Sequence, residues 1–245
     1  MSSHGGEALT NPGPHSLLIG LIGLPGTRKG PISRAMASFL PYELAPPNAP
    51  QELIEQLASP DINPYQAIQR VRMRYLLREQ YSRDLVKKPP IVYPKEVNWN
   101  DRHDLRDYHA WLRRHDKAEQ VFQGLDDLHD SIALVDSVRH LDDAHRILKH
   151  GGVLLGYVCS EADRSNNFVN GPKDIEHDNA TLPGSTQREA ERVGSQSENS
   201  AIEPCLYLAK ARGTVIKIGT DFTGALEQTK DFVFEQVVDR LELAA

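Results

Sequence analysis

The stretch Ser16 to Leu40, SLLIGLIGLPGTRKGPISRAMASFL, constrains the fold more than any other part of the chain. Leu17, Leu18, Ile19, Leu21 and Ile22 are almost unbroken apolar positions, the pattern of a central parallel strand covered on both faces. Glycines and a proline follow, and then Ile32, Ala35, Met36 and Phe39 recur at helical spacing up to Pro41. Strand, glycine turn and helix in that order make the first half of a right-handed βαβ unit. The alternation returns further on. SIALVD, Ser131 to Asp136, reads as a second buried strand; Leu141, Ala144, Ile147 and Leu148 give a helix closed by Gly151 and Gly152; VLLGYVC is a third strand. Such a chain is expected to fold as α/β, with three layers and a mostly parallel sheet.

Between these segments, Leu53, Ile54 and Leu57 predict a short helix ending near Pro60. NPYQAIQRVRMRYLLREQYSRDL predicts a longer one, with Ile68, Val71, Tyr75 and Leu76 on one face. Arg70, Arg74 and Arg78 then fall at i, i+4 and i+8. That basic stripe is either a solvated face, partly neutralised by Glu79 and Asp84, or a clamp on a substrate phosphate. Lys87 to Asn100, KKPPIVYPKEVNWN, is too proline-rich for a helix and is expected to wrap the surface. A further helix is expected over Asp104 to Gly124. Residues 16–245 are read as one domain behind a disordered tail of residues 1–15. Ser160 to Pro204, polar and poor in aromatics, is expected to be a long mobile insertion. CLYLAKARGTVIKI resumes strand character, and DFTGALEQTKDFVFEQVVDRLEL supplies a last helix.

Composition excludes several functions. A net charge of −6 argues against a protein whose main task is to coat nucleic acid or an anionic membrane. The chain starts without the basic and apolar segments of a secretion signal, and no apolar run approaches the roughly 20 residues that span a bilayer. Cys159 and Cys205 lie in apolar, strand-like runs outside any C-x-x-C pair, as buried thiols of a reducing compartment do. A soluble, cytoplasmic protein is expected. His103, His109 and His115 are six apart and His140, His145 and His150 five apart, so neither set shares a helix face and both are read as surface residues. No G-x-S-x-G nucleophile turn is present. The triplet Asn179-Ala-Thr181 matches a glycosylation acceptor, which has no meaning in the cytoplasm.

The glycine turn carries the strongest chemical signal. A phosphate loop needs glycines for a tight bend, N–H groups at a helix N-terminus, a lysine for the terminal phosphates and a hydroxyl for magnesium. Against G-x-x-x-x-G-K-[ST], the chain reads Gly23, Leu24, Pro25, Gly26, Thr27, Arg28, Lys29, Gly30. The first glycine and Lys29 fit. Arg28 replaces the second glycine, and Gly30 replaces the hydroxyl residue. Thr27 and Ser33 are the nearest hydroxyls, and neither is in register. Pro31 is tolerated in the first helical turn, where its N–H would have no partner.

A second constellation is ALVDSVRHLDDAHRILKHGG, in which Asp136 closes a buried strand and Arg139 follows. Ligands of open parallel sheets sit beyond the carboxyl ends of strands, so both residues are expected to face the same crevice as Lys29. Asp136 then holds magnesium and Arg139 a phosphate. Alternatively, Asp136 caps its own turn with Arg139 as ion-pair partner.

Together these segments resemble the deoxynucleoside monophosphate kinases of the phage type, which are P-loop proteins. LIGLIGLPGTRKG looks like that family's opening strand and phosphate loop, and VDSVRHLDDAHRILKHGG is similar to its D-V-R-F-P-N-E-A segment with the glycine pair. SQSEN faintly resembles its later S-E motif, and IKIGTDFTGALEQT its closing strand, turn and helix. The resemblance implies a P-loop NTPase-like fold, with Gly23, Gly26, Thr27, Arg28, Lys29 and Gly30 around the phosphates of ATP and Asp136 on magnesium. It implies Lys29, Asp136 and Arg139 in the catalytic crevice. Arg70, Arg74 and Arg78, with Arg188 and Arg192 swinging in from the insertion, would hold a nucleoside monophosphate. Arg28, Gly30 and the pair His140-Leu141 depart from the family pattern. Three functions follow: a nucleotide kinase with impaired phosphoryl transfer, a catalytically inactive kinase-like module that regulates or binds a protein partner, or a P-loop protein that transfers phosphate to some other small phosphate-accepting molecule.

Overall fold

The computed structural model describes residues 16–99, 101–125, 128, 130–170, 196–219 and 221–242. Its centre is a sheet of five parallel strands: β1 (Ser16–Gly23), β2 (Ala67–Arg72), β3 (Ser131–Asp136), β4 (Val153–Val158) and β5 (Val215–Lys217). They lie in the order β2-β3-β1-β4-β5. β1 is therefore central, with Leu21 opposite Asp136 on one side and Leu155 on the other. Every residue of β3 is buried, and so is all of β1 beyond Ser16, as their unbroken apolar runs require.

The helices form two outer layers. α1 (Lys29–Met36), α2 (Gln51–Ala58) and the last helix pack on one face, where Leu17, Ile19 and Leu21 meet Ile32, Met36, Leu53 and Val233. α3 (Met73–Lys87), α4 (Arg102–Arg114), α5 (Ala118–Phe122) and α6 (Leu141–Lys149) cover the other, where Leu18 and Ile22 meet Leu76, Leu112, Ala144 and Ile147. α7 (Glu161–Asn170) follows β4, α8 (Gln196–Ala211) precedes β5, and α9 (Phe222–Arg240) ends the described chain. The α/β fold with three layers and a parallel sheet is as the alternation of apolar segments requires.

Three local expectations are corrected. The long helix expected around Arg70 is a strand as far as Arg72 and a helix from Met73. Ile68 and Val71, three residues apart, enter opposite cores, which the two-residue period of a strand allows and a helix does not. The helix expected over 104–124 breaks after Arg114. Asp116 adopts φ 53°, and the Lys117 N–H donates to the Leu112 carbonyl at 2.8 Å, the bonding that ends a helix in a left-handed residue.

The third correction concerns 160–204. Its ends are helical, in α7 and α8, and α8 carries Pro204 in its interior. Cys205 to Lys210, read as strand, continues that helix, and only Val215–Lys217 pairs with β4. The tail 1–15, the triplet at 179–181 and the rest of the expected insertion, 171–195, lie outside the described residues. No helix of the described residues is long and apolar enough to cross a membrane.

Candidate functional site

β1 and β3 are neighbours, yet the helix after β1 packs on one face of the sheet and the helix after β3 on the other. A crevice opens between the carboxyl ends of two such strands. Lys29 begins α1 directly beyond β1, and Asp136 is the last residue of β3. The two side chains are close enough for the Lys29 charge to act on the Asp136 carboxyl.

The glycine segment folds as a tight turn. The Thr27 N–H donates to the Leu24 carbonyl at 3.2 Å, with Pro25 second and Gly26, at φ +84°, third, the residue pattern of a type II turn. Gly23 has room for no side chain, because a Cβ there would lie 2.5 Å from the Thr27 hydroxyl oxygen. Arg28 then takes φ 53°, ψ 12°, the left-handed conformation that favours glycine. The backbone at Arg28 thus has a shape that glycine adopts more readily than arginine. Both nearby hydroxyls are committed: Thr27 donates to the Leu24 carbonyl at 2.8 Å and Ser33 to that of Gly30 at 2.9 Å.

Asp136 is 4 % exposed. Arg70 reaches it from β2, with Nη2 at 2.7 Å and Nε at 3.2 Å from Oδ2, and Ser137 donates to Oδ1 at 3.1 Å. Burial pushes the carboxyl up, but the charges of Arg70 and Lys29 and the bonds from Arg70 and Ser137 outweigh it and hold it below its ordinary value. Asp136 is a carboxylate whose charge is already matched by a guanidinium.

The basic stripe is divided by this arrangement. Arg70 lies on the strand with Asp136, while Arg74, half-buried, and Arg78, exposed, lie on α3. Arg139 is half-buried on the turn between β3 and α6, as expected for a residue at the carboxyl end of the sheet. Arg188 and Arg192 lie outside the described residues.

Two features were not read from the sequence. α7 lies on the glycine turn: the Arg164 carbonyl oxygen is 2.5 Å from where a Cβ on Gly26 would stand. Asn167, 5 % exposed, donates from Nδ2 to the carbonyls of Gly26, at 3.2 Å, and Gly219, at 3.3 Å, tying the turn to the β5–α9 connection. A polar segment gives no signal for such a contact. The second is a histidine pair, His109 buried and His140 half-buried, which corrects the reading of both residues as surface. The rings of His109 and His140 stand 5.0 Å apart, and His109 Nε2 is 3.5 Å from Oδ1 of Asp143, itself 1 % exposed. Burial, then the positive neighbours His109, Arg113 and Arg139, push His140 down to about 4 against the pull of Asp143.

Cys205 is buried, as expected, whereas Cys159, also read as buried, is half-buried. Burial pushes both thiols up, Cys205 to about 11. Among the described residues, no group of three or more His, Cys, Asp or Glu side chains is placed to hold a metal ion. The residues present suit a phosphate better than magnesium: Lys29, Arg28 and the N-terminus of α1 are at hand, whereas Gly30 brings no oxygen and Asp136 is bound to Arg70. Neither the family models nor the curated proteins include a match to this chain.

Proposed function

We propose that this chain is a nucleoside monophosphate kinase-like protein in which nucleotide binding has outlasted phosphoryl transfer. The observation that carries the reading is the meeting of Lys29 and Asp136 where the sheet's connections change sides, with Arg70 closed onto the carboxylate. Lys29 and the first turn of α1 attract the phosphates of ATP. Arg139 and Arg74 supply positive charge toward a second phosphate-bearing molecule. A carboxylate neutralised by arginine and a loop without its hydroxyl place magnesium poorly, and transfer that depends on charge neutralisation by the metal is slowed. Two free thiols support a reducing, cytoplasmic setting.

Calorimetric titration with ATP and with deoxynucleoside monophosphates, with and without magnesium, tests this. ATP is expected to bind with little dependence on magnesium, and Lys29→Ala to abolish binding. The double variant Arg28→Gly, Gly30→Ser is expected to raise magnesium-dependent transfer above the parent. A parent that already turns over at roughly 1–100 per second, an ordinary kinase rate, overturns the impaired-site reading. Unchanged ATP binding in Lys29→Ala overturns the phosphate-loop reading altogether and leaves the interaction module.

A further inference from the structure

Among the described residues, Arg113 and Arg139 are guanidinium groups without an ion pair or a side-chain hydrogen bond. Arg113 is carried by α4 and Arg139 by the turn between β3 and α6. Both are half-buried, and both are close enough to His140 for their charges to act on its ring. The Arg113 Nε is shut off from water with no acceptor, an arrangement that costs free energy until an acceptor arrives. His109, 8 % exposed, is in a similar state: its Nε2, 3.5 Å from Oδ1 of Asp143, makes no hydrogen bond.

The acids of the surrounding elements are engaged elsewhere. Asp136 is held by Arg70, and Arg146 reaches both Asp143, at 3.5 Å, and Glu119, at 3.0 Å. Asp104 and Asp107 on α4 act on Tyr93, and Asp142, exposed on α6, acts on Cys205. Of these acids only Asp143 acts on His140, where it is outnumbered by His109, Arg113 and Arg139, whose charges disfavour a proton on the ring. At neutral pH the group is therefore two guanidiniums and a neutral imidazole that still carries one N–H. It stands beyond the carboxyl end of β3, where ligands of a parallel sheet bind, beside the first turn of α6, which no side chain caps.

We propose that Arg113, Arg139 and His140 seat a phosphate monoester. Each guanidinium grips phosphate oxygens through paired N–H donors, and the imidazole N–H adds a further bond. A carboxylate fills one such fork, whereas a phosphate has oxygens for both arginines and the ring. The anion reverses the sign of the field at His140, so the ring takes up a proton more readily once the ligand is bound. The seat deepens the reading above by giving the second phosphate a place, and it rests on that reading only for the ligand being a nucleotide.

Proton NMR of the full chain tests it by following His140, identified by the signal missing from His140→Gln. Thymidine monophosphate and glycerol phosphate are the ester probes, and thymidine and glycerol the arms without phosphate. The esters are expected to raise His140 from about 4 toward its ordinary 6.5, and the tighter of the two separates a nucleotide from another small ester as the ligand. Arg113→Gln is expected to weaken binding at least tenfold at unchanged melting temperature, and Arg114→Gln, exposed one residue further on, to leave it as it is. Lys29→Ala is expected to leave it unchanged as well, so that the seat and the ATP loop stand or fall separately. No response of His140 to either ester, the same response to thymidine or glycerol, undiminished binding in Arg113→Gln, or loss of binding in Lys29→Ala overturns the proposal.

Discussion

Asp136 stands in register with Arg72 on β2, yet its carboxylate is taken by Arg70, one pleat back on the same face of that strand. The guanidinium closes over an acid that is nearly out of reach of water. Removing one member of such a pair leaves a buried charge unmatched. Asp136→Asn is expected to lower stability by about 3–5 kcal/mol, whereas Arg70→Met with Asp136→Leu costs far less than two separate losses. Urea unfolding of the parent, both single variants and the double variant measures the difference.

The same pair fixes an acid limb. The folded-state pKa of Asp136 lies below its ordinary 3.8. Its contribution to stability is therefore complete above that value and is lost as pH falls through the lowered folded-state value. The gap in unfolding free energy between the parent and Asp136→Asn is expected to be constant from neutral pH down to about 4, and to narrow below that. A gap that narrows instead on raising the pH contradicts the assignment.

His140 acts at milder pH. Its folded-state pKa, about 4, is below the ordinary 6.5, so the unfolded chain takes up its proton first. The stability tied to the neutral ring is present above pH 6.5 and declines toward 4. His140→Gln is expected to flatten this part of the stability profile. A proton NMR titration that finds His140 charging at 6.5 or higher contradicts it.

Arg28 and Gly26 both sit at positive φ, with opposite residue choices. Arg28→Gly is expected to stabilise the chain by about 0.5–1 kcal/mol, the left-handed penalty being partly offset by glycine's greater freedom when unfolded. Gly26→Ala must be worse than Gly213→Ala, although φ is +84° and +74°, because alanine at 26 meets the Arg164 carbonyl and alanine at 213 meets nothing within 4 Å. A two-variant melting comparison checks the ranking, and equal losses would mean that α7 does not rest on the turn.

The central strands were legible in the sequence because their signal is local: Leu17 to Ile22 and Ser131 to Asp136 are apolar in almost every position, whatever else the chain does. β2 was not. Ile68, Val71, Tyr75 and Leu76 satisfy a helical period, and only pairing with β3 makes strand of the first half. In the site, Lys29, Asp136 and Arg139 could be placed at the carboxyl ends of strands from the order of elements alone. Arg70 on Asp136, Asn167 on Gly26 and His109 beside His140 could not, since their partners are 66, 141 and 31 residues away and no periodicity links them.

The order of the strands also bears on how the chain is made. β1 leaves the ribosome first, but its nearest partner is β3, Ser16 facing Ser131 some 115 residues later, and β4 comes later still. At about 5–20 residues per second, Leu17 to Ile22 spends on the order of ten seconds as an apolar strand with both edges bare. Pairing across such a distance is slow even once both strands exist. The most strongly strand-forming segment of the protein is thus the one that waits longest to be covered, and a nascent-chain chaperone would find its first foothold there.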